Sequence, residues 1–81
     1  MINKINETII DSFKQYNPNL TMLDINNNIL SYQNHAINLE EFNLATLFES
    51  YQLKRDFANL NATELFEIIQ INSAIYNSNK E

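Results

Sequence analysis

The chain has no glycine, cysteine, valine or tryptophan, and its one proline is Pro18. Without cysteine there are no disulfides, no thiolate metal sites and no cysteine nucleophile. Without glycine, neither the phosphate-cradling P-loop nor the dinucleotide-binding fingerprint can be built. The single histidine, His35, excludes a multi-histidine metal site within one chain. No apolar run reaches the roughly 20 residues that span a bilayer, and the first residues lack a secretory apolar region. A cytoplasmic protein without a membrane contact is therefore expected. Basic residues are also scarce. Five lysines and arginines face ten acids, for a net charge of −5. That balance argues against a phosphate-binding surface spread over the molecule, and so against nucleic acid as the partner.

What is present is asparagine and isoleucine, fifteen and eleven of the 81 residues. Asparagine tolerates positive φ better than any other non-glycine residue, so here it stands in for the missing glycine. Asn26-Asn27-Asn28, Asn34 and Asn17 before Pro18 are the natural turn sites. At 44% hydrophobic and 19% charged residues, the chain can build a core, and 81 residues suit one small domain.

The hydrophobic period divides the chain. Ile2, Ile5, Ile9, Phe13 and Tyr16 recur at steps of three and four, which predicts a helix over 2–16 with Ile10 at the edge of its stripe. Asn17-Pro18 should close it. Leu20 to Ile25 and Ile29 to Gln33 are runs of strand length separated by three turn-formers, the pattern of a β-hairpin, and Ala36-Ile37 can add a third strand. The competing reading is an irregular segment with one helical turn near Leu20 to Asp24. A second helix is expected from Asn38, with Glu41 in the capping-box position, and a third from Asn61, with Glu64 in the same relation. The tail 77–81 is polar and expected to fray. The fold class is thus α+β: a helix, a small antiparallel hairpin or meander, then two helices. All-α with an irregular middle is the alternative.

Catalytic groups are sparse. His35 falls in an expected turn with no nucleophile at a telling spacing, and Glu64 with Glu67 reads as a solvated helix face. Asp24 to Asn28 offers oxygen ligands but lacks the central glycine and closing glutamate of a calcium loop. No enzyme, cofactor or metal is expected. The stretch Ile37-Asn38-Leu39-Glu40-Glu41-Phe42-Asn43-Leu44 resembles the start of the first helix in winged-helix domains of the response-regulator type. That resemblance spans about half the chain and implies a DNA-binding regulator as an alternative. No basic recognition helix or wing follows Tyr76, and Lys54-Arg55 is an isolated pair, so no binding residue is carried over.

The middle helix carries the functional expectation. Leu44, Leu47, Phe48 and Tyr51 share one arc of roughly 100°, and Leu39, Phe42, Leu53 and Phe57 lie nearly opposite. Either the rest of the domain covers both arcs, or the second stays partly open as a contact patch. On the open reading the chain is a non-enzymatic protein-binding module. It would be a small acidic inhibitor or adaptor of the kind encoded by phages and mobile elements. Leu39, Phe42, Leu53 and Phe57 would make the lasting contact. Asp24, Glu40, Glu41, Glu64 and Glu67 would steer a basic partner. The partner would be another protein with a basic or apolar surface, or a second copy of the chain. A small secretion chaperone or assembly subunit would use the same patch.

Overall fold

The computed structural model describes residues 5–53 and 57–79, with the main chain only for 51–53. The chain forms α1 (Ile5–Phe13), a 3-10 helix (Pro18–Met22), β1 (Asp24–Asn26), β2 (Ile29–Tyr32) and β3 (His35–Asn38). Then come α2 (Leu44–Leu53), a second 3-10 helix (Phe57–Asn59) and α3 (Ala62–Asn79). The strands make an antiparallel meander in the order β1-β2-β3. The layout is α+β. No helix among the described residues is long and apolar enough to cross a membrane.

The two hairpin turns show how the chain manages without glycine. Asn27 and Asn28 both take positive φ, 54° and 64°, and join Asn26 to Ile29 in a two-residue loop. Two successive positive-φ residues make the type I′ turn, one of the two tight hairpin turns whose twist matches that of the strands. The second loop puts Gln33, at φ 53°, in the left-handed region rather than the expected Asn34. Upstream, Leu20 to Met22 is 3-10 helix and not strand, because Asn17 and Pro18 start a turn there. The Asn17 side chain accepts from the Asn19 N–H at 2.9 Å, and the proline φ suits the first turn.

α1 ends at Phe13, three residues before the expected Tyr16, and it is rotated; Ile2 lies outside the described residues. Its buried residues are Asn6 and Ile10, whereas Ile5 is 51% exposed. The polar Asn6 occupies the inward line because it has three partners there. Its Nδ2 donates to the Phe42 carbonyl (2.8 Å) and to Asn28 Oδ1 (3.3 Å), and its Oδ1 accepts from the Leu44 N–H (2.8 Å). A buried amide with its donor and acceptor both matched carries little desolvation penalty.

α2 starts at Leu44, six residues after the expected Asn38. Asn38 ends β3, and its side chain instead accepts from the Glu40 N–H two residues on (3.0 Å). The cap of α2 is Asn43, whose Oδ1 accepts from the Ala45 N–H at 2.8 Å. Between them, 39–43 forms a linker tied by Asn28 Nδ2 on the Glu40 carbonyl (3.0 Å) and by Asn6 on Phe42. Glu40 itself sits at φ 55°. α3 begins as its sequence predicts. Asn61 Oδ1 accepts from the Glu64 N–H, and Glu64 Oε1 accepts from the Asn61 N–H, at 2.8 and 2.9 Å. The helix runs to Asn79, and Asn77 Nδ2 bonds to the Leu39 carbonyl at 3.1 Å; residues 80 and 81 lie outside the described residues.

The core gathers Ile10, Leu20, Leu30, Leu39, Leu44, Phe48, Phe57, Leu65 and Ile69 from both ends of the chain and the sheet between. Phe13, Phe48 and Phe57 meet at its centre with ring centroids 5.0–5.9 Å apart. Such offset and edge contacts are the favoured aromatic geometry. Asn17, fully buried, closes one end by donating to the carbonyls of Phe57 and Leu60 at 2.7 and 2.8 Å.

Candidate functional site

The residues expected to form an open apolar patch lie inside the protein. Leu39 and Phe42 are 0% and 7% exposed, and Phe57 is 1% exposed. The reason is local: Leu39 and Phe42 belong to the linker before α2, and Phe57 to the 3-10 helix after it, so none extends a stripe along α2. Each turns inward on its own account. The Leu53 side chain, with Lys54 and Arg55, lies outside the described residues. Of the two readings left open by the helical wheel, the covered one describes these three residues.

The acidic residues are exposed and distributed. Asp24 is on β1, Glu40 and Glu41 are in the linker, and Glu64 and Glu67 are in the first half of α3. Glu64 is engaged in its own helix cap. His35 opens β3 rather than sitting in the turn, exposed, with its ring 6.2 Å from that of Phe66. No hydrogen bond joins it to a carboxylate or hydroxyl among the described residues. Nor do three or more histidine, aspartate or glutamate side chains gather there as a metal site would need.

An apolar surface does exist, in a different place. On α3, Leu65, Phe66 and Ile69 point into the core, and Phe66 stacks on Tyr32 at 5.8 Å. The second half of the helix turns a separate apolar flank outward. Ile71 and Ile75, one turn apart, are 58% and 56% exposed, and Tyr76 beside them is 46% exposed. Ile68, on the same side one turn earlier, is half-buried against the core. Tyr76 leans on Phe42, with ring centroids 5.7 Å apart, and Phe42, Asn72, Ile75, Tyr76 and Asn79 line a shallow recess of about 450 Å³.

Residues 68–79 contain no charged side chain, although the chain as a whole is 19% charged. The signal for this flank was in the sequence. Ile68, Ile75 and Tyr76 follow Leu65 and Ile69 at helical spacing and read as one core stripe, which leaves out Ile71 and so hides the second flank.

No known protein family, curated protein or solved structure matches the chain.

Proposed function

We propose that the chain is a non-enzymatic protein-binding module that holds its partner with the outer flank of α3. The observation that carries this reading is the contiguous exposure of Ile71, Ile75 and Tyr76 on a helix segment free of charge. Exposed isoleucines scattered singly need no explanation, but a run on successive turns with an aromatic beside it is the composition of an interface centre.

Magnitude limits the reading. Covering the open halves of these three side chains yields roughly 3–5 kcal/mol, which association costs can consume entirely. A stable complex therefore needs more surface than this flank, and the recess beside Phe42 supplies the adjoining ground. Within this class, the size of the chain and its charge of −5 suit a small inhibitor or adaptor of the kind carried by phages and mobile elements. Its exposed carboxylates would speed encounter with a basic target.

The test is capture from an extract of the source cells by the wild-type chain and by an Ile71→Glu, Ile75→Glu double variant. A protein retained by the first and lost from the second, with circular dichroism unchanged, supports the reading. Equal retention by both contradicts it.

A further inference from the structure

A second surface lies on the flank of α3 that adjoins the first, where that helix lines a cleft with β3 and the linker after it. β3 ends the sheet order β1-β2-β3, so among the described residues one of its edges has no neighbouring strand. The register says which main-chain groups that edge presents. Leu39 donates its N–H to the Asn28 carbonyl at 2.8 Å, and the partners Leu30 with Ile37 and Tyr32 with His35 continue the same alternation. In an antiparallel pair the hydrogen-bonding groups of successive residues point to opposite sides. Residues 35, 37 and 39 therefore bond to β2, and the N–H and C=O groups of Ala36 and Asn38 point away from it. Among the described residues no other element bonds to them.

That edge does not face open water on all sides. A cleft of about 560 Å³ lies between the Asn38 end of β3 and α3, with Asn38 and Glu40 on one wall and Ser73, Ala74, Asn77 and Ser78 on the other. Ala74 and Ser78, one turn apart, are small and exposed, so a main chain can lie close to them. Asn77 adds a specific feature. Its Nδ2 is committed to the Leu39 carbonyl, while its Oδ1 is buried without a hydrogen-bond partner. A lone buried acceptor is unfavourable and is relieved by a donor brought to the cleft. Among the described residues that line the cleft, Glu40 is the one with a charge, and it is acidic.

We propose that this cleft takes an extended basic peptide segment of another protein as a fourth strand along β3. Main-chain bonds to Ala36 and Asn38 would supply the pairing, and a lysine or arginine near Glu40 would supply the orientation. At about 3.3 Å per residue, an edge of four residues offers pairing for roughly four residues of peptide. Two copies of a chain with net charge −5 repel each other, which favours a basic peptide over the sheet of a second copy. The inference is independent of the Ile71–Ile75 flank, and either can fail alone.

The probe is a fluorescent peptide of about eight residues, alternating valine and threonine around a central lysine. It is titrated into the full chain, with amide shifts recorded in parallel. The expected result is saturable binding that shifts the amides of Ala36 and Asn38 and the side-chain amide of Asn77. Replacing the lysine by glutamate, or filling the cleft by Ala74→Arg, should weaken binding by roughly tenfold. Ala74 is exposed on a helix, and Ser78→Arg serves as a second filling variant on the same flank. No binding at millimolar peptide, equal binding by both filled variants, or shifts confined to Ile71 and Ile75 would each overturn the proposal. So would a doubled mass in light scattering with the Ala36 and Asn38 amides protected in the absence of peptide, since a second copy would then occupy the edge.

Discussion

Asn6 and Asn17 do work that apolar residues do elsewhere in small cores. Each is buried, and each joins segments far apart in sequence: Asn6 reaches the linker before α2, and Asn17 the turn before α3. Asn17→Ala would strand the Asn19 N–H and leave the Phe57 carbonyl only the longer bond from the Leu60 N–H at 3.3 Å, while the Leu60 carbonyl keeps a second donor in Asn19 Nδ2. A loss of about 2–4 kcal/mol is expected, read as a lower urea midpoint at unchanged slope. The positive-φ positions respond in the opposite direction. Gln33 sits at φ 53° in an exposed turn, so Gln33→Gly should unfold at the same or a higher urea concentration. Gln33→Val, with a branched Cβ, should lower stability by about 1–2 kcal/mol. The glycine-free composition made positive-φ asparagine foreseeable, and Asn27 and Asn28 obey it. It did not reveal that Gln33 and Glu40 would take the same conformation, because neither side chain favours it and the strand register imposes it on Gln33.

The elements differ in how far they were legible. α3 begins where Asn61 and Glu64 say it should, because the capping box is a local device whose two partners are four residues apart at most. Asn38 and Glu41 carry the same letters and form no helix start. There the β3 ladder holds the chain extended through Asn38, and Asn6 and Asn28 tie down the linker that follows, so distant partners override a local signal. Asn43→Ala should therefore cost about 1 kcal/mol through loss of the α2 cap. Removing Glu41 should not shorten α2, and amide exchange of residues 45–47 distinguishes the two. The α1 stripe was misplaced for the same reason: an apolar period cannot identify an asparagine whose partners lie in the linker. Ile5, expected inside, is exposed, while Asn6 is buried.

At the scale of the molecule, apolar residues fall into two populations that composition cannot separate. Leu39, Phe42 and Phe57 hold the core together, and Ile71, Ile75 and Tyr76 face water. Their variants should behave oppositely. Phe42→Glu places an unpaired carboxylate against Tyr76 and the core, and should cost at least about 3 kcal/mol or prevent folding. Ile71→Glu and Ile75→Glu remove little buried surface, and each should change stability by no more than about 0.5 kcal/mol. The candidate contact site was not legible in the sequence. The two apolar arcs left open whether apolar surface stays uncovered, but the residues they named, Leu39, Phe42 and Phe57, are buried, because α2 starts only at Leu44 and Asn6 and Asn28 tie down the linker before it.

The most direct measurement is a photo-crosslinking comparison in the source cells, with benzoylphenylalanine replacing Ile75 on the outer flank of α3 or Glu49 on the exposed side of α2. A partner held by α3 predicts a discrete adduct to another protein from position 75 and none from position 49. Adducts of equal yield from both positions, or none from position 75, would contradict the assignment of this flank as the binding surface.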